Sequence, residues 1–297
     1  MAKLRITYNS RMDGPGSSFM NLISIYLYAK LYNAKIYRNR NKKFQKMLIF
    51  RPLIMKSKLR LPFTPKDNLQ MHTGMRGRMA SPVIKSELDL VTLFKNEFKN
   101  EYYDSIKKDL NNNKQKSNII AFHIRNDDVS SQQDYDGTPT FDYIANLINK
   151  KNFNAYDREE MLSLGKDVQA PIGVKSLNMV IADLNKKYPN KKIHFVYQGK
   201  LNKNLEDVVN NKKYTVHSNL KDEVSQSFKI HHTTDSDINE DLSILINSDV
   251  LVLSKSFFSL VAGMLHQGSA VYYPKWGSFA ALGLGTKFDK SEWIPYK

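Results

Sequence analysis

From residue 118 onward the chain repeats one pattern: a short apolar run, a turn of small or polar residues, a helix-like stretch, then another apolar run. Residues 118–124, 193–197, 214–216, 250–253 and 270–273 read as strands, with 270–273 the last of the series. Residues 174–187, 205–209, 238–247 and 257–265 read as helices, and 141–148 as the start of another. Strands that alternate with helices are joined by crossovers, so the pattern implies an α/β chain with a mainly parallel sheet covered on both faces. Ligands of such sheets collect at the carboxyl ends of the strands, where the strand-to-helix turns gather.

The first third follows the same logic less regularly. Residues 3–8 alternate like a short strand, residues 11–18 form a glycine-containing turn, residues 19–31 are an apolar helical stretch and residues 34–37 a second strand. Together they make one βαβ unit. Residues 40–90 show no clear period. Residues 91–110 read as an amphipathic helix through Leu93, Phe94, Phe98, Tyr102 and Ile106. The polar run 111–116 is the expected boundary between an N-terminal domain, 1–115, and a C-terminal domain, 116–297. No internal repeat is evident.

Charge narrows the partners. The formal net charge is +16, with 45 Lys+Arg against 29 Asp+Glu, but arginine supplies only ten of the basic residues. The rest are lysines, often beside asparagine, a solvated-surface pattern rather than an arginine-rich phosphate reader. No helix-turn-helix, aromatic RNA-binding motif or zinc-finger spacing is present, so no nucleic-acid partner is expected. The absence of cysteine excludes a disulfide scaffold, a thiolate zinc site and a cysteine nucleophile. No apolar run approaches the ~18 residues of a membrane span. Behind the opening Met-Ala-Lys-Leu-Arg-Ile there is no apolar signal region, and a cytoplasmic location is expected.

Three turns carry the residue types that chemistry needs. The first holds Asp13, Gly14 and Gly16 ahead of an apolar helix. Its glycines permit close approach of a ligand to backbone, and Asp13 is either a general base or a cap. The second ends the strand 118–124 with His123 and Arg125 on one face, followed by Asn126, Asp127 and Asp128 and a loop with Asp134 and Asp136. Arg125 there either neutralises a leaving phosphate or pairs with Asp127 or Asp128. The third, Ser254-Lys255-Ser256-Phe257, follows a buried strand and opens a helix, which suits either a phosphate site or ordinary capping.

In order and residue type, these turns resemble motifs of the fucosyltransferase superfamily with the GT-B fold, which spans α1,2-, α1,6- and protein O-fucosyltransferases. Gly14-Pro15-Gly16-Ser17-Ser18 is similar to its N-terminal Gly-x-Gly-Asn-Gln turn, and His123-Ile124-Arg125 to its His-x-Arg motif. Asp128 stands where that motif carries its following acid, Phe195-Val196-Tyr197 where it has an apolar strand, and Ser254-Lys255-Ser256-Phe257-Phe258-Ser259 where it has Ser-x-Ser-x-Phe-Ser. The resemblance implies two Rossmann-like domains facing a cleft and an inverting glycosyltransferase that needs neither metal nor cofactor. Its substrates would be a nucleotide sugar, GDP-fucose by default or a UDP-sugar such as UDP-xylose, and a glycan acceptor.

By the same resemblance, Arg125 holds the diphosphate with Ser254, Lys255, Ser256 and Phe257, while His123 lies near the nucleoside and Gly14, Gly16 and Asp128 complete the donor site. Asp13 or Asp134 is the base. The chain departs from the motifs at Ser17-Ser18, at Asn126 in place of a second arginine, and at Gln133 in place of a glutamate. Rival readings are an Asp-x-Asp metal site at Asp134-Tyr135-Asp136 or Asp235-Ser236-Asp237, a metal site at His231, His232 and Asp235, and a non-catalytic basic protein that binds carbohydrate or nucleic acid.

Overall fold

The computed structural model describes residues 5–8, 16, 19, 29, 33–38, 58–59, 68–71, 102–104, 106, 118–125, 172–198, 201, 203–219, 235–274 and 293–296. Their strands form two sheets, each parallel throughout. The first contains β1 (Arg5–Tyr8), β2 (Lys35–Arg38), β3 (Lys58–Leu59) and β4 (Asn68–Met71), in the order β3-β2-β1-β4. The pairing of β1 with β2 is parallel, and Phe19 and Ala29 between them are helical and buried, as the βαβ reading requires. The sequence pattern had not placed β3 and β4, which fall within the stretch lacking a clear period. Tyr102 and Ile106 are helical and buried, within the helix expected over 91–110, and Tyr102 meets the Phe19 ring edge-on at 5.7 Å.

The second sheet is assembled from β5 (Ile119–Ile124), β6 (Lys192–Gln198), β7 (Thr215–Asn219), β8 (Val250–Val252), β9 (Ala270–Pro274) and β10 (Trp293–Tyr296). Its order is β10-β9-β8-β5-β6-β7. Renumbered within the sheet this is 6-5-4-1-2-3, the doubly wound Rossmann order, which reverses direction between β5 and β8. One expectation needs correcting: the series does not end at 270–273. β10 follows at the edge, where Pro295 hides the strand pattern; an edge is also where a strand tolerates proline.

Four helices accompany these strands among the described residues. In α1 (Val174–Lys187), Leu177, Val180, Ile181 and Leu184 make a stripe at three- and four-residue steps that faces the core. α2 (Lys203–Val209) buries Leu205 and Val209. α3 (Asp235–Ile246) leads into β8, and α4 (Phe257–Leu265) is apolar on nearly every side and buried accordingly. The core between α1, α2 and the sheet contains Ile120, Phe122, Leu177, Leu184 and Phe195, each shielded almost completely from water. Burial of each contributes about 1.5–3 kcal/mol.

Polar pins hold the amino ends of the central strands. Asp249 accepts from the Asn118 backbone N–H and from Lys191 Nζ at 3.0 Å, while Asn118, in a left-handed conformation (φ 88°), donates to the Asn190 carbonyl at 3.1 Å. The opposite, carboxyl ends of β5 and β8 are thereby left to the candidate site. The expected boundary at 111–116 lies outside the described residues.

The Phe195 ring packs 5.2 Å from that of Phe122 and 5.4 Å from that of Tyr214. Phe195→Ala is expected to lower the free energy of unfolding by about 3–5 kcal/mol in urea titrations. A variant as stable as the wild type would contradict this placement of the core.

Candidate active site

The β5 strand is buried at Ile119 to Phe122 and at Ile124, and His123 and Arg125 are partly buried. β8 runs beside it, with Ile120 opposite Val250 and Phe122 opposite Val252, so the two strands finish side by side at the reversal of the sheet. There the His123 Nδ1 atom lies 2.6 Å from Ser254 Oγ, a hydrogen bond between the strand ends. The imidazole also packs against the Phe258 ring, centroids 5.4 Å apart, from the first turn of α4.

Enclosure of the ring, and secondarily the positive Arg125, hold the His123 pKa down at about 3 instead of 6.5. His123 is therefore neutral at physiological pH, one ring nitrogen engaged with Ser254. The resemblance placed it near a nucleoside; the structure gives it the further task of tying β5 to the start of α4.

The serines after β8 form a compact network. Ser256 caps α4, its Oγ accepting from the Phe258 N–H at 3.2 Å, so the capping alternative is realised for this residue. The Ser256 N–H in turn donates to the Ser254 carbonyl at 2.8 Å. Ser259 Oγ reaches back one turn to the carbonyls of Ser254 and Ser256, 3.0 Å each, and accepts from the Ser254 N–H at 3.3 Å. These bonds fix the turn before any ligand arrives. Within it Lys255 is partly buried, and burial pushes its ammonium pKa below the usual value; an anion beside it would favour the charged form.

Gly16 also comes to this turn. It is helical and buried, and a Cβ built on it would lie 2.5 Å from the Phe257 carbonyl carbon and 2.7 Å from Phe258 Cα. The sequence reading gave these glycines the close approach of a ligand; at Gly16 the close neighbour is the backbone of α4. The first and third turns therefore meet, and the second joins them through His123.

Arg125 follows directly on β5 and is partly buried. Asp13, Gly14, Asn126, Asp127, Asp128, Asp134, Asp136, His231 and His232 lie outside the described residues, as do the side chains of Asp235 and Asp237. Among the described residues no group of three or more His, Cys, Asp or Glu could hold a metal ion, and no helix is long and apolar enough to cross a membrane. Sequence reasoning did not single out Phe258 or assign Ser259 a role. A serine in the first turn of an otherwise apolar helix is the signal that points to Ser259, because such a hydroxyl bonds back to carbonyls that precede it in the chain, here three and five residues earlier.

In sequence, the chain matches no family model and no curated protein. In structure it is similar to POFUT1 in complex with GDP, with a TM-score of 0.45 and 10% identity over 99% of this chain and 98% of that one. POFUT1 with GDP-fucose gives a TM-score of 0.42 at 10% identity, covering 99% and 98% of the two chains. The iron-containing dodecameric glycosyltransferase TibC from enterotoxigenic E. coli H10407 gives 0.41 at 8% identity over 92% of this chain. The chain spans 59% of the length of TibC. Likenesses of this size assign no family.

The depressed His123 pKa has a measurable consequence. An unfolded chain binds a proton near pH 6.5 that the folded one refuses until about 3, so this residue's contribution is complete above 6.5 and is lost as the pH falls toward 3. His123→Gln should flatten that part of the stability curve in urea unfolding at a series of pH values. An unchanged slope would contradict the enclosed, neutral imidazole.

Proposed function

We propose that the chain is a glycosyltransferase that binds a nucleoside diphosphate sugar at the reversal of the six-stranded sheet. The observation that carries this reading is the His123–Ser254 bond, which holds Arg125, Lys255 and the start of α4 around the carboxyl ends of β5 and β8. A crevice outside those ends is where doubly wound sheets take nucleotides. A helix start and two cations in a partly dry setting suit a diphosphate. The order of the three motifs adds the donor class: fucose from GDP-fucose first, a UDP-sugar such as UDP-xylose second. On this reading the first sheet belongs to an acceptor-side domain of a GT-B-like pair, and the protein works in the cytoplasm on a glycan.

The reaction is an inverting displacement. An acceptor hydroxyl attacks the anomeric carbon from the face opposite the nucleotide, and a carboxylate takes its proton as the carbon–oxygen bond to the β-phosphate breaks. Arg125, with Lys255, stabilises the negative charge that gathers on the departing diphosphate, the task a metal ion performs elsewhere. Asp13 is taken ahead of Asp134 as the base, because some O-fucosyltransferases carry the acid in the N-terminal turn, where Asp13 stands.

Thermal-shift screening of GDP, UDP, ADP and their sugars tests donor binding and nucleotide choice together. Arg125→Ala should lower turnover by roughly 100-fold or more, and EDTA should leave activity intact. Lys255→Gln should weaken nucleotide binding by about tenfold. Parallel assays of Asp13→Asn and Asp134→Asn identify the base. Full turnover in Arg125→Ala would sink the leaving-group role, and steeply salt-dependent binding of nucleic acid without transferase activity would favour a non-catalytic binding protein.

A further inference from the structure

The hydrogen-bond ladder between β8 and β9 stops short at the site. The Leu253 N–H donates to the Tyr272 carbonyl at 2.7 Å. Val252 pairs with Tyr272, so Leu253 falls opposite residue 273. In a parallel ladder a residue that donates to the carbonyl before its partner accepts from the amide after it. The amide meant for the Leu253 carbonyl is therefore that of residue 274, and Pro274 has no N–H. Leu253 is fully buried, where an unanswered carbonyl is costly.

Tyr296 supplies the missing donor, its hydroxyl lying 2.6 Å from the Leu253 carbonyl oxygen. Burial raises the pKa of this phenol well above its ordinary value, so it remains a neutral donor. The strand that carries it is held in place from the other end. Trp293 of β10 packs near the Tyr273 ring, centroids 6.2 Å apart, and its Cη2 comes so close to Gly263 of α4 that a Cβ there would lie 2.9 Å away.

We propose that Tyr296 is a positioning residue for the nucleotide site: its hydroxyl stands in for the amide that Pro274 lacks and sets the peptide between Leu253 and Ser254. That peptide orients the Ser254 hydroxyl, which bonds His123, and leads into the capped start of α4. The edge strand thus acts as a strut across β9. The functional half of this inference rests on the nucleotide-binding reading above; the structural half rests on the ladder alone.

The experiment uses the full chain with Tyr296→Phe, Pro274→Ala and the two combined. Two readouts are followed: the His123 imidazole resonances by NMR, and binding of GDP and UDP with donor KM and kcat. Tyr296→Phe keeps the ring and removes only the hydroxyl. It should shift the His123 resonances and weaken nucleotide binding about tenfold, acting on KM more than on kcat. Adding Pro274→Ala restores an amide at position 274 and should reverse both effects, a rescue that loss of ring packing would not permit.

If Tyr296→Phe does not fold, the combined variant should fold; its failure to do so overturns the proposal. The proposal also falls if Tyr296→Phe moves neither readout, or if Pro274→Ala rescues neither. If the wild type binds neither GDP nor UDP while the His123 resonances follow both substitutions, the strut stands and the nucleotide reading is the part that fails.

Discussion

The whole site depends on the pairing of β5 with β8. A parallel sheet that reverses its winding must have two neighbouring strands whose continuations leave toward opposite faces, and a gap opens beyond their carboxyl ends. In this chain those strands are among the most deeply buried parts of the molecule, with Ile120 and Phe122 set against Val250 and Val252. The positions of His123 and Ser254 are consequently inherited from the core. A hydrogen bond between them adds specificity to an alignment that the ladder has already made, which is how a few polar atoms come to be held at fixed distances on a scaffold of aliphatic side chains.

Charge at this gap has a different character from charge on the rest of the protein. The formal surplus of +16 is carried mainly by lysine, and the described examples on α1 and α2 are largely solvated, where screening leaves them little individual effect. Arg125 and Lys255 are partly withdrawn from water. Enclosure of the His123 ring, and after it the positive charge of Arg125, keeps that imidazole neutral. Neutrality lets the imidazole serve as a hydrogen-bonding partner for a serine.

Local pattern carried much of the C-terminal sheet. The bounds of α1 follow from its apolar periodicity, those of α4 from a longer, nearly continuous apolar stretch, and those of β5, β6, β8 and β9 from short apolar runs between turns. Elements without such a pattern stayed hidden. β3 is two residues long, and β10 has Pro295 in its middle, a residue that propensity reads as a break but an edge strand accepts. The candidate residues at the strand ends were legible as residue types, but their partners were not. The bond of His123 to Ser254, the fit of Gly16 against α4 and the reach of Tyr296 to Leu253 all join distant parts of the chain. No local period records such contacts. Pro274 left a trace in retrospect: a proline closing a buried strand leaves a neighbouring carbonyl in need of another donor.

The meeting of Gly16 with Phe257 and Phe258 also bears on how the protein comes into being. It joins residue 16 to residues 257 and 258, so it closes a long loop and gains nothing until both partners exist. During synthesis the N-terminal glycine waits, its close-fitting surface uncovered, until the ribosome has released the segment that becomes α4. Folding of each sheet can proceed from its own nearby contacts, whereas the shared turn is completed only when they dock. Anything that covers this glycine on the emerging chain would delay the assembly of the site while leaving His123, Arg125 and Lys255 untouched.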